Sequence, residues 1–200
     1  MGYQRQDGIE PPIAQTDLEG YLVAAQKGDQ AAFEIIWKNL NPRITRFAAV
    51  QCYGSSLDYE EVVSEAWISV AKNISKFKGD FPAFRSWVYA ITRNRLVDGT
   101  RKRDRQVKHG GDVTELNLED KSQPMEELFE SDEAVKIIVE RINQLPKAQA
   151  DIVMLRVVAD LSVPETAKVV SKSENTVRVL CHRGLATLRE SWPSEDGVNA

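Results

Sequence analysis

Leu161-Ser162-Val163-Pro164-Glu165-Thr166-Ala167-Lys168-Val169-Val170-Ser171-Lys172-Ser173-Glu174-Asn175-Thr176-Val177-Arg178 is the stretch that decides the fold. Ser162 followed by Glu165 is a capping-box pattern, with Pro164 tolerated in the first turn. A short helix is predicted from there to about Val170. Ser173 caps the next helix, whose inner face carries Val177, Leu180, Cys181, Leu185 and Leu188. A short helix, a turn and a basic helix read as a helix-turn-helix suited to the major groove of duplex DNA. Glu174, Asn175 and Thr176 stand at the end that enters the groove first. Glutamate accepts from cytosine, and asparagine pairs with adenine. Arg178, Val179, His182, Arg183 and Arg189 project away from the inner face, and Arg183 and Arg189 suit phosphates. A plain helical hairpin with a solvated basic face fits these residues as well.

Working outward, periodicity of the helical kind continues on both sides. Val135, Ile138, Val139 and Ile142 mark a helix, and Pro146 opens another that runs to about Ala159. Far upstream, Asp29 is a candidate N-cap for Ala32, Phe33, Ile36, Trp37 and Leu40, with a bend expected at Pro42. Asp58 starts a helix with Val62, Val63, Ala66, Trp67, Val70 and Ile74 on one stripe. After a loop at Lys78-Gly79-Asp80-Phe81-Pro82, a fourth helix turns Phe84, Trp87, Val88 and Ile91 inward and runs into Arg101-Lys102-Arg103. The fold class expected is all-α, with two small helical domains. The boundaries read as a disordered tail over 1–16, a first domain over 17–105, an acidic flexible linker over 106–131, a second domain over 132–191 and a tail over 192–200.

Charge supports that division. The chain of 200 residues has a formal net charge of -4, unevenly spread. Residues 85–108 sum to +6, residues 112–134 to -8 and residues 168–189 to +4. Two basic segments flanking an acidic one point to nucleic acid as a partner. Cys52 and Cys181 lie far apart, and His109 and His182 form no cluster. No metal site, cofactor or catalytic group is expected. The polar start, with Pro11 and Pro12, lacks the pattern of a secretion signal, and no apolar run is long enough to span a bilayer. We therefore expect a cytoplasmic protein without membrane insertion.

Two further surfaces carry chemistry. Arg85, Tyr89 and Arg93 recur at four-residue intervals on the fourth helix. Positive charge attracts phosphates and aromatic rings stack on unpaired bases, which suits melted DNA. A cationic helix end favoured by the helix dipole explains Arg101, Lys102 and Arg103 equally well. On the third helix, Glu61, Ser64, Glu65 and Ile68 share one outer face. That face suits a protein partner, and a solvated face is its alternative. From residues alone, a free-standing DNA-binding regulator and a pure interaction module stay open.

At this point a resemblance enters. The stretch from Asp58 to Trp67, the stretch from Phe77 to Trp87, Arg93-Asn94 and Arg101-Lys102-Arg103 resemble region 2 of the extracytoplasmic-function (ECF) sigma factors. Leu145-Pro146, Leu161-Ser162, Glu165-Thr166-Ala167, Thr176-Val177-Arg178 and Arg183 to Arg189 resemble their region 4. The resemblance implies a promoter-specificity factor for core RNA polymerase, which itself does the chemistry. It assigns Asp58, Glu61, Ser64, Glu65 and Ile68 to the beta-prime clamp, and region 4 to the beta flap. It assigns Lys76, Lys78, Gly79, Asp80, Phe81, Arg85, Tyr89, Arg93, Asn94, Arg101 and Arg103 to the minus-ten element, where a base is flipped at a cost of a few kcal/mol. It assigns Lys172, Ser173, Glu174, Asn175, Thr176, Arg178, Val179, His182 and Arg183 to the minus-thirty-five element. It also implies control by an anti-sigma factor. Ser171 and Lys172 depart from the usual glycine and apolar residue of the turn, and Ser64 departs from the usual glutamine.

Overall fold

The computed structural model describes residues 15–108 and 133–191, with side chains placed for 17–101 and 136–191. Among the described residues every regular element is helical. The N-terminal group comprises α1 (Gln15–Gln26), α2 (Gln30–Cys52), α3 (Tyr59–Asn73) with a 3-10 turn at Ile74–Lys76, and α4 (Phe81–Lys108). The C-terminal group comprises α5 (Glu133–Gln144), α6 (Lys147–Val153) continuing as a π-helical turn at Met154–Val158, α7 (Val163–Val170) and α8 (Glu174–Glu190). The expected C-terminal tail and most of the expected N-terminal tail and linker lie outside the described residues, while Gln15 and Thr16, expected in the tail, belong to α1.

The starts of these helices follow from short polar side chains. The Ala32 N–H donates to Asp29, and the Glu60 and Glu61 N–H groups donate to Asp58. At α7 both halves of the capping box form: the Glu165 N–H donates to Ser162 Oγ, and the Ser162 N–H donates to Glu165 Oε2. Such caps satisfy N–H groups that have no partner within the helix and contribute about 1 kcal/mol each.

α2 is the central strut of the N-terminal group, packing on α1, α3 and α4. Ile36, Leu40, Ile44 and Phe47 line its buried side, and Phe84, Val88 and Tyr89 of α4 and Val70 of α3 are buried in the same core. Full burial of each such side chain contributes roughly 1.5–3 kcal/mol. Phe77, Phe84 and Trp87 make an aromatic cluster, with centroids 5.1–5.8 Å apart. Three details differ from expectation. The first concerns Pro42 only in length: it sits inside one continuous α2 that runs on to Cys52, past the stretch 44–48 expected to follow it. Trp37 is 38% exposed, because the buried stripe follows Ile36, Leu40 and Ile44 instead. α1 was not foreseen, although Leu18, Leu22 and Ala25 pack into the core.

In the C-terminal group α8 lies on α6 and α7. Gly184 makes this approach possible: a Cβ there would stand 2.8 Å from Val153 Cγ2. Leu185, expected on the inner face, is 45% exposed. Gly184 takes the buried place beside it, and no leucine fits so close a crossing. Ser171, which ends α7, is left-handed at φ 53° and ψ 48°. That conformation crowds a Cβ. The turn thus reaches the geometry a glycine would give, with serine in its place, and Lys172 points to solvent.

The two groups pack against each other. α4 lies along α7, while α2 touches α5 and the π-helical turn.

Candidate nucleic-acid interface

The first turn of α8 presents the helix-turn-helix set. Ser173 caps it, accepting from the Thr176 N–H at 3.1 Å, and the two hydroxyls lie 2.8 Å apart. Lys172, Ser173, Glu174, Asn175, Arg178, Val179, His182 and Arg183 are exposed, and Thr176 is half-buried beside fully buried Val177. Glu174 accepts from Arg178 at 2.8 Å. An exposed pair one turn apart stabilises the helix by only a few tenths of a kcal/mol, so both side chains are cheaply re-aimed at a groove. Lys172 and Ser173 immediately precede α8, and the other seven residues expected at the duplex lie within its first ten residues. Arg183→Ala is expected to weaken duplex binding and to flatten the slope of log K against log salt by about 0.9, the value of one phosphate contact. Titrations of a labelled duplex at several salt concentrations would check this. An unchanged slope would mean that Arg183 touches no phosphate.

The residues expected at the opened strand behave differently. Lys76, Lys78, Gly79 and Asp80 lie exposed around the loop before α4. Gly79 has φ 150°, and a Cβ there would lie 3.1 Å from both Ala83 Cβ and Phe77 Cζ. Asp80 caps α4 by accepting from the Ala83 N–H at 2.9 Å. Phe81 is buried, and its N–H donates to Glu19 Oε2 at 2.6 Å, so it anchors the loop. Asn94 and Arg101 are exposed. The side chain of Arg103 lies outside the described residues.

Arg85, Tyr89 and Arg93 share a face of α4, as expected, but that face is covered. Arg85 donates to Glu165 of α7 at 2.8 Å. Arg93 binds Asp151 of α6, with contacts of 2.8 and 3.0 Å. Tyr89 is fully buried, edge-on to Phe47 at 5.5 Å, and its hydroxyl has no hydrogen-bond partner. Its expected exposure is thus corrected. Burial, with a smaller contribution from Asp160, pushes the phenol well above the usual tyrosine range, against the pull of Arg43 and Arg85. Burial also works to raise the Glu165 carboxyl, but hydrogen bonds from Ser162 and Arg85 outweigh it and hold the carboxyl below its usual range.

Sequence reasoning missed the other side of this seam. Asp151 is 3% exposed and also accepts from Gln51 at 3.1 Å, with Lys147 3.4 Å away. Asn143 Nδ2 donates to the Val50 carbonyl at 3.1 Å, and Tyr53 donates to Glu140 at 2.9 Å. The available signal was one acid, Asp151, within the apolar run Ala150-Ile152-Val153-Met154. A buried acid requires a cationic partner.

The third expected surface is open. Asp58, Glu61, Ser64, Glu65 and Ile68 are all exposed on α3, with Ile68 at 53%. Glu65 stands 3.8 Å from Arg95. Glu65, Ile68, Ser69, Lys72, Asn73 and Arg95 line a shallow depression.

These surfaces fall within two segments that match known families. Residues 36–106 match Sigma-70 region 2, and residues 136–188 match Sigma-70, region 4. The ECF RNA polymerase sigma-E factor of Escherichia coli (strain K12) is 31% identical over 166 residues, covering 76% of this chain and 82% of the relative. The chain belongs to the ECF sigma factors. Other ECF relatives agree: the sigma factor SigD of Mycobacterium tuberculosis (strain ATCC 25618 / H37Rv) is 24% identical over 176 residues, covering 86% of this chain and 82% of the relative. The fold also resembles CnrH, solved in complex with the cytosolic domain of CnrY. The TM-score is 0.59 at 17% identity, over 86% of this chain and 94% of that one. Sigma factors are transcription initiation factors. Among the described residues no helix is long and apolar enough to cross a membrane.

Proposed function

We propose that this ECF sigma factor binds core RNA polymerase through the α3 face, carries it to promoter DNA and assists melting, with no catalytic site of its own. Residues 17–105 act at the clamp and the minus-ten element. Residues 132–191 act at the flap and the minus-thirty-five element, and 106–131 join them. The reading places the protein in the cytoplasm. The observation that carries it is the pairing, in one chain, of an exposed acidic α3 face in the region 2 match with an exposed α8 first turn in the region 4 match. Glu61, Glu65 and Ile68 offer charge and one apolar contact to a protein. Asn175 and its neighbours offer base-edge contacts to a duplex. CnrH, similar in fold, was solved in complex with the cytosolic domain of CnrY, and a protein partner of that kind, an anti-sigma factor, is the control we propose for this chain.

The test is co-elution of the purified full chain with sigma-free core polymerase on a sizing column. A stoichiometric complex is expected. A folded chain that elutes alone would make a free-standing duplex-binding regulator the better reading.

A further inference from the structure

We propose that α1 sets the base selectivity of the loop before α4: Glu19 and Gln26 clamp the two ends of that loop and hold Lys78, Gly79 and Asp80 in the shape that receives a flipped base. The inference rests on the reading of this loop as part of the minus-ten surface. It adds two positioning residues on a helix that precedes the region 2 match, which starts at residue 36. Four observations carry it.

The first is that the contacts bracket the loop. Gln26 Nε2 donates to the Phe77 carbonyl at 2.9 Å, and the Phe81 N–H donates to Glu19 Oε2 at 2.6 Å. Glu19 and Gln26 stand two turns apart on one face of α1, so a single helix spans both ends. These bonds reach across 51 and 62 residues, so they are tertiary constraints rather than parts of a local turn.

The second is the contrast between ends and tip. The Phe77 ring packs on Phe84 at 5.4 Å and on Trp87 at 5.1 Å, and Phe81 is 4% exposed. Between these anchors Lys78, Gly79 and Asp80 are exposed. A receptor fixed before it is filled loses less freedom on binding, which matters most for a base that must first be unstacked.

The third is the donor account at the start of α4. A helix N-terminus presents free N–H groups that attract phosphate. Here the Phe81 N–H is taken by Glu19, Pro82 has none, and the Ala83 N–H is taken by the Asp80 carboxylate. The Phe84 N–H bonds the Asp80 carbonyl at 2.9 Å. Two carboxylates thus fill this end of α4 and turn phosphate away. Exposed Lys76 and Lys78 meet the phosphates of the strand, and the clamped tip is left to choose among bases.

The fourth is tightness. A Cβ at Gly79 would stand 3.1 Å from Ala83 Cβ and from Phe77 Cζ. The tip therefore keeps its shape only while Phe77 stays where Gln26 holds it.

The test assembles the full chain with core polymerase and offers it a pool of single strands of random sequence, then sequences the bound strands. The chains compared are wild type, Glu19→Ala, Gln26→Ala, the double variant, Glu19→Gln, and Ile44→Val, which trims the buried core of α2. In the double variant the preference at the most selected position should fall about tenfold, while the slope of log K against log salt stays unchanged, because no phosphate contact is lost. Glu19→Gln keeps an accepting oxygen and should retain most of the preference. Hydrogen exchange of the free chain reads the clamp directly: amides over 77–84 should exchange about tenfold faster in the double variant, with α2 and α3 unchanged. Equal preference in wild type and the alanine variants would overturn the proposal, whatever the loop exchange shows. An equal fall in Ile44→Val would overturn it too, since general loosening would then explain the loss. A wild-type chain that fails to join core polymerase sinks the functional reading instead. The same pool offered to the free chain, with hydrogen exchange beside it, then decides the clamp.

Discussion

Glu61→Lys/Glu65→Lys is expected to abolish co-elution with core polymerase, weakening the complex by on the order of 100-fold, while the chain stays folded. Both carboxylates are exposed on α3 beside Ile68. A partner surface that accepts an acidic face repels a cationic one, and like charges brought together at an interface cost several kcal/mol. The cost to the fold is smaller. Glu61 lies in the first turn of α3, where an acid is favoured over a base by about 1 kcal/mol or less. Glu65 gives up an exposed contact to Arg95 at 3.8 Å, a kind of pair typically contributing under about 1 kcal/mol. Circular dichroism would show the retained helices, and sizing with core enzyme would show the loss. A variant that still co-elutes at wild-type stoichiometry would remove α3 from the polymerase interface.

Phe47→Ala should be the most damaging single truncation, destabilising the chain by about 3–5 kcal/mol. Phe47 is fully buried at the heart of α2, and its ring meets Tyr89 edge-on at 5.5 Å. Truncation removes the transfer energy of the ring, leaves a cavity and takes away the aromatic contact. For a chain of this size a loss of 1 kcal/mol lowers Tm by roughly 2–4 °C, so a fall of roughly 10 °C is expected. Trp37→Ala, on the same helix, provides the contrast. Trp37 is larger but 38% exposed, so its loss should move Tm far less. Thermal melts of the two variants side by side would decide. A larger fall for Trp37→Ala would place the core on the wrong side of α2.

Much of this architecture was legible because local chemistry and burial agree along the chain. Asp29, Asp58, Ser162 and Ser173 all cap the helices that their positions predicted. Trp37 and Leu185 misled for one reason: a helical stripe of apolar residues is wider than the face a neighbour covers, so periodicity marks candidates without choosing among them. Pro42 deprives α2 of one hydrogen bond, and the helix continues past it as expected. The surface on α8 was readable, since a helix N-terminus and its exposed neighbours are local facts. The seam was not. Arg85 and Glu165 are 80 residues apart, and Arg93 and Asp151 are 58 apart. No spacing rule relates such positions. The apolar neighbours of Asp151 call for a cation, but nothing near it in sequence names which one.

The left-handed serine between α7 and α8 has a consequence for how this chain can drift in sequence. Ser171 and Lys172 are adjacent and both exposed, so surface position alone would make them equally permissive. Backbone geometry separates them. At φ 53° a valine, isoleucine or threonine at 171 would press its branched Cβ on the following carbonyl. Glycine, asparagine and aspartate remain open to it. Lysine at 172 carries no such constraint. Two neighbouring positions of one turn thus stand at opposite ends of tolerance, and the alphabet available at 171 is set by an angle rather than by anything the side chain touches.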